Sequence, residues 1–352
     1  MAGDTVRITT PMHAIVQPRR GTGRILAYAA LACVLAAAML IGICAGQYPV
    51  APGKVLAILM GWPSATMDER IVTMVRGPRI ILVTICGAGL AIAGAAMQGV
   101  FRNPLAAPEM LGVSAGAAFG GALAILLGAP AFILAASAFG VGLVALLLVG
   151  AIARIGGRSD MTAVILAGVI VGAFFAALVS VTQLFADPHN SLPAIVFWLM
   201  GSFAAAGWRQ VAIAAPAIFI GAGMLWMMRF RINVLSLGEE EARSLGVAVD
   251  RDRWLIFFAV ALITGATVSV AGIVGWVGLV IPHLARLLAG PDHRHLLPAS
   301  CLMGAAYLCL IDTVARSATA AEIPLGVLTA VIGAPFVALL LGRMQRSAEG
   351  RP

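Results

Sequence analysis

The sequence predicts an all-α integral membrane protein of about ten transmembrane helices. Three observations predict it. Of 352 residues, 61% are hydrophobic and only 11% charged, against about 45–50% and 25% in a soluble domain. The few charges bunch between apolar runs of about 20 residues, the length that crosses a bilayer. Lysine and arginine then fall mostly on one side of the alternating loops, as the positive-inside rule requires.

Met1 to Gly23 reads as a polar tail carrying Arg7, Arg19 and Arg20. The apolar run that follows lacks a small-residue cleavage site, so it is expected to be the first membrane helix and not a removed leader. Apolar segments follow near 24–46, 78–100, 111–128, 131–153, 162–185, 209–229, 254–273, 273–289, 298–315 and 324–342. Gly272 to Gly278 suits either a turn or a continuous small-residue helix. One transmembrane domain is expected over 24–345, with a short tail at 346–352. Glycine and proline inside these runs are no obstacle, because membrane helices tolerate both. Gly112, Gly116 and Gly120, and Gly168 with Gly172, have the spacing that lets helix backbones approach in lipid. That spacing serves either packing within one bundle or contact with a second copy. The five cysteines lie in or beside apolar runs without CxxC spacing, as small buried hydrophobes do.

With a cytoplasmic N-terminus and single crossings, 17 of the 23 basic residues fall inside. The outer side receives only Lys54, Arg70, Arg76, Arg79, Arg209 and Arg316. The net charge of +8 is therefore a topology signal, with no basic soluble face for nucleic acid. Two loops stand out. The outer stretch Gln47 to Val75 carries Pro49, Pro52 and Pro63. The inner stretch 230–253 is the most charged part of the chain. Within it, Glu239, Glu240 and Glu241 precede Arg243, and Gly238 and Gly246 bracket them, the pattern of a short surface helix. A solvated loop and a helix gripped by a partner fit this segment equally well.

Several chemistries are excluded. An ion-coupled carrier needs ionisable groups at membrane depth, yet only Asp312 lies inside an apolar run, and Arg316 follows one turn later as an i,i+4 partner. An ion-coupled secondary transporter is thus the weaker alternative. A phosphate-binding loop needs GxxxxGK followed by Ser or Thr, and the single lysine, Lys54, precedes Val55. Gly112-Val-Ser-Ala-Gly116 matches the GxSxG pattern, but a nucleophile elbow needs a preceding strand and His and Asp partners. His283, His293 and His295 show no metal-ligand spacing. No catalytic, cofactor-binding or metal-ligating residue is expected in the chain.

Arg76-Gly-Pro-Arg79 opens the second run, followed by Gly87 to Gln98, then Arg102-Asn-Pro-Leu-Ala-Ala-Pro108 and Leu111-Gly-Val-Ser-Ala-Gly116. Later come Phe197-Trp-Leu-Met-Gly-Ser202, Ser236-Leu-Gly-Glu239, Ser244-Leu-Gly246, Gly278-Leu-Val-Ile-Pro-His283, Asp312-Thr-Val-Ala-Arg316 and Glu322-Ile-Pro-Leu-Gly326. In this order, over about 25–345, the chain resembles the FecCD family of permeases, whose members import vitamin B12, ferric siderophores and haem.

The resemblance implies the type II ABC importer permease fold in a bacterial inner membrane, with both termini cytoplasmic. It implies a homodimer, two cytoplasmic ATPase subunits that use ATP and Mg, and a periplasmic substrate-binding protein. The cargo would be an iron chelate, haem or ferric siderophore before cobalamin. Arg76, Arg79 and Arg316 match outer arginines that dock the binding protein. Asn103 and Leu105 match one cytoplasmic gate. Met161 and Thr162 stand at the second, where this sequence departs from the family pattern. Leu237, Gly238, Glu239, Ala242, Leu245 and Gly246 match the coupling helix that meets the ATPase.

Overall fold

The computed structural model describes residues 21–62, 66–155, 160–319 and 321–349. Every regular element among them is helical. Seven helices are long and apolar enough to cross a membrane, and the shorter apolar helices Val113–Leu126, Val277–Ala289 and Leu325–Leu340 complete the predicted set. In chain order the helices are α1 (Gly21–Cys44), α2 (Pro52–Leu59), α3 (Met67–Arg70), α4 (Gly77–Phe101), α5 (Val113–Leu126), α6 (Ala131–Ala153), α7 (Met161–Leu184), α8 (Ser191–Leu199), α9 (Trp208–Met227), α10 (Arg229–Leu235), α11 (Glu239–Ser244), α12 (Val249–Ala271), α13 (Val277–Ala289), α14 (His293–Ser317) and α15 (Leu325–Glu349).

Helix α4 is the axis of the bundle. It packs against α14, α13, α9 and α12, and most of its side chains are buried, Arg79 and Gln98 included. Lipid supplies no hydrophobic force between helices, so close backbone approach has to supply the packing. Glycines make that approach possible. A Cβ on Gly94 would run into the carbonyl oxygen of Gly278 on α13, and one on Gly87 into that of Gly304 on α14. The GxxxG spacings work inside the chain too. Gly116 and Gly120 seat against the Val141 and Ser137 carbonyls of α6, Gly168 seats on the Met110 carbonyl, and Gly172 meets nothing within 4 Å.

Three expectations are sharpened. Gly272 to Trp276 breaks the chain between two helices, and Gly278 already lies in α13, because α12 stops at Ala271 and Gly272 takes φ +66° against the Trp198 carbonyl. The outer stretch Gln47 to Val75 is not simply a loop. It folds into α2, α3 and a π-helical turn, Ile71–Arg76, that runs directly into α4. At the C-terminus α15 continues to Glu349, so helix takes in residues assigned to the 346–352 tail. Residues 1–20 of the expected N-terminal tail lie outside the described residues. All five cysteines are free.

The tightest crossing has a measurable signature. Gly94→Leu forces backbones apart and is expected to cost about 1–3 kcal/mol or more. Gly172→Leu, whose Cβ position is open, should leave the detergent-phase melting temperature of the purified chain unchanged. Equal melting temperatures for the two variants would contradict the packing described.

Candidate functional sites at the two ends of the bundle

The outer end, so named from the arginine bias, gathers Arg76, Arg79 and Arg316 as the sequence predicts. All three are buried, with exposures of 6%, 8% and 7%. Arg76 Nη1 donates to the carbonyls of Ile43 at 2.7 Å and Cys44 at 3.0 Å, and its Nη2 to that of Tyr48. Arg316 donates to the carbonyls of Ala45 at 2.8 Å and of Gly42. Both guanidinium groups close on Gly46, whose φ of +140° and missing Cβ leave room for them. These contacts satisfy the last turn of α1, where helix carbonyls have no partner of their own.

Arg79 lies deeper. Its Nε donates to both carboxylate oxygens of Asp312 at 3.1 and 3.0 Å, and Nη2 adds a third bond at 2.8 Å. Nη1 and Nη2 also hold Glu322 at 2.7 and 2.9 Å. One guanidinium thus ties α4 to α14 and to the loop before α15. The i,i+4 partner expected for Asp312, Arg316, stands 3.6 Å away and is the lesser contact. Asp312 is fully buried, and a charge in that position needs a fork of donors that only Arg79 presents. Glu322 was legible only as part of a motif. Its pairing with Arg79 spans 243 positions and has no local signal.

The inner end carries the other predicted residues. Helix α4 stops at Arg102, in the left-handed conformation at φ 51°, and Asn103 turns the chain by accepting the Leu105 N–H at 2.9 Å. Asn103 is exposed and Leu105 half-buried. Met161 opens α7 one residue after Asp160, which caps the helix by accepting the Ala163 N–H at 2.6 Å. Met161 lines a small cavity, about 40 Å³, with Phe101, Arg102, Leu235, Glu239 and Arg253. That cavity joins the second gate position to the end of α4 and to the charged segment. Thr162 beside it is exposed.

The charged segment is a helix, α11, one of the two forms its acid-then-base order left open. Gly238 and Gly246, at φ +148° and +78°, bracket it. Ala242 is fully buried, whereas Leu237 and Leu245 are 60% and 62% exposed. Glu239 holds Arg243 at 2.5 Å and Arg253 at 3.3 Å. Sequence reasoning missed the anchor beneath it. Asn233 on α10 donates to Asp292 at 2.7 Å and accepts the His293 N–H at 2.8 Å. His293 in turn reaches the Ala95 carbonyl of α4 at 3.3 Å. The Arg294 side chain, the largest influence on Asp292, holds its carboxyl well below the usual carboxylate range.

A helical bundle with a buried charge lock at one end and an exposed apolar-edged helix at the other defines a polytopic transport subunit that works with partners. The chain belongs to the FecCD transport family, whose profile matches residues 34–343. It is 40% identical over 322 residues to the molybdate import system permease of Haemophilus influenzae, covering 90% of this chain and 94% of that one. The Fe(3+)-citrate import system permease of Bacillus subtilis is 37% identical, at 90% and 95% coverage. A cobalamin import system permease of Halobacterium salinarum is 38% identical, at 77% and 73% coverage. Among solved structures, an inward-facing ABC transporter of metal-chelate type superposes with a TM-score of 0.82 at 38% identity, covering 90% of this chain and 98% of that one. The chain is therefore an ABC importer permease, and ATP hydrolysis belongs to a separate subunit.

The charge lock makes a directional prediction. Arg79→Met strands the Asp312 carboxylate in the interior and is expected to destabilise the chain by about 3–5 kcal/mol. Arg79→Met with Asp312→Leu should recover most of that loss, while Glu322→Gln, at a partly open site, should cost no more than about 1 kcal/mol. Thermal unfolding of the three variants in one detergent tests the order.

Proposed function

We propose that this chain, as a homodimer in a bacterial inner membrane with both termini cytoplasmic, carries a metal complex inward when a cytoplasmic ATPase drives it. The observation that carries the coupling role is α11. It is a six-residue helix pinned by its buried Ala242 and flanked by exposed leucines at 237 and 245. Exposed apolar side chains around a fixed helix suit insertion into a groove on a partner. The rest of the segment, Gly238, Glu239 and Gly246, sets its angle. The cavity at Met161 places this helix beside the inner end of α4, so movement of α11 reaches the gate residues Asn103, Leu105, Met161 and Thr162. ATP then acts by its differential affinity for two rigid-body arrangements.

At the outer end the arginine cluster of Arg76, Arg79 and Arg316, with Asp312 and Glu322, keeps an excess of one positive charge. That excess favours an acidic binding protein. A second copy of this chain covers the apolar face of α7, where Leu166, Val169 and Phe174 are exposed. The relatives named above carry iron, molybdenum and cobalt species. Within that range a ferric chelate, haem or siderophore, is the proposed cargo here. Ion-coupled transport is disfavoured because Asp312 is locked by Arg79.

Leu237→Asp with Leu245→Asp tests the coupling role. Both sites are exposed, so the melting temperature should hold, while affinity for the cognate ATPase falls at least about tenfold, as loss of desolvated apolar anchors does. In proteoliposomes holding the whole complex, ferric-chelate uptake should require ATP. Uptake driven by an ion gradient alone would overturn the importer reading. Uptake of molybdate or cobalamin in place of iron would overturn the cargo.

A further inference from the structure

The bundle has a lateral groove near its outer end. Helices α6 and α9 both pack on α12 but make little contact with each other. Between them lies a cavity of about 320 Å³, walled by Phe132, Ala135, Phe197 and Ile213 and floored by Ser269. A second cavity, about 150 Å³, shares Phe132, Ala135, Ile213 and Ser269 and continues inward to Phe139 and Ala217. The two adjoin along these shared residues. Small residues create the groove: Ala135, Ala217 and Ala266 leave the space that larger side chains would fill.

Polarity along the groove is graded. Arg209 and Gln210 stand at its outer mouth and the walls below are almost wholly apolar. The Arg209 guanidinium lies 5.8 Å from the ring centre of Phe132. Among the described residues Arg209 makes no ion pair. Trp208 fixes the start of α9 by donating to the Thr73 carbonyl at 3.0 Å, and tryptophan favours the headgroup level. The eight steps from Arg209 to Ala217 rise about 12 Å along α9. One leaflet of hydrocarbon is about 15 Å deep. The groove therefore has the length of one leaflet, an apolar body and a cation at its polar end.

We propose that this groove holds one acyl chain of an anionic phospholipid from the outer leaflet, with the phosphate on Arg209. An amphiphile matches both ends of the groove, whereas a wholly apolar ligand leaves Arg209 unused. Arginine suits phosphate because its planar fork presents paired donors. A chain seated over α12 also fills the gap that α6 and α9 leave between them. The site shares no residue with the gates or α11, and it adjoins the arginine cluster through Ser202, which bonds Glu322.

Native mass spectrometry of the full-length chain tests this with phosphatidylglycerol and phosphatidylethanolamine added to the delipidated protein. The wild type should hold one phospholipid and prefer phosphatidylglycerol by about fivefold, the worth of one cation near a membrane surface. Arg209→Gln should abolish the preference while a lipid is still retained. Ala217→Leu, which fills the inner end, should lower occupancy by both lipids. Ala135→Leu supplies the same readout should Ala217→Leu fail to fold. Equal retention of the two lipids by wild type and Arg209→Gln would overturn the headgroup assignment. Undiminished occupancy in the filled variants would overturn the groove itself. So would cross-linking between two copies of the Ala136→Cys variant, which would show a second copy of this chain on that face.

Discussion

The architecture depends on how closely α4 lies against its neighbours. In lipid, apolar side chains gain little by leaving the solvent for each other, so helices associate through contact, dispersion and hydrogen bonds. Gly87 against Gly304 and Gly94 against Gly278 bring backbones together. That closeness buries nearly the whole length of α4 and allows five or more helices to share one axis. It also lets a single side chain on α4 reach several partners. Arg79 bonds Asp312 and Glu322 at once because α14 and the loop before α15 are already near.

The two ends of the bundle solve different electrostatic problems. The outer cluster is largely buried, and every guanidinium group in it is aimed at a carboxylate or a carbonyl. Its arginines were expected on the outer side, and the structure turns them inward. Burial does not cancel their charge, however, and the field of a partly desolvated cation reaches further than that of a solvated one. The inner end is wet. There Glu239 joins the exposed Arg243 and the buried Arg253 in one network. What positions α11 is its buried Ala242 and the Asn233, Asp292 and His293 bonds that join α10 to α14 and α4.

Much of this was legible in the chain itself. Hydropathy located the spans because a bilayer demands runs of fixed length. The order of three glutamates, an arginine and flanking glycines allowed α11 without deciding it against a loop. The Arg102 to Pro108 motif marked the break after α4. Long-range pairings were not legible. Asp312 advertised a need for a cation, and the sequence offered Arg316 one turn away, but the better partner lay 233 positions back. The small cavity uniting Met161 with Glu239 and Arg253 likewise depends on how α7 and α12 converge, and no local pattern encodes it. The splay of α6 from α9 has the same origin, since it follows from both helices preferring α12.

The capping of α1 bears on how the protein is made. Helix α1 buries little of itself, and its final carbonyls, Gly42 to Ala45, are satisfied by guanidinium groups from Arg76 and Arg316. A chain is synthesised from its N-terminus, so α1 enters the bilayer long before Arg316 exists. Arg76 follows soon and takes the Ile43 and Cys44 carbonyls, but those of Gly42 and Ala45 wait for Arg316 and must until then stay within reach of interfacial water. Only when α14 arrives can that end of α1 be withdrawn into the protein. Helix α1 is thus fully fastened only late, and assembly closes as a ring in which late segments secure early ones.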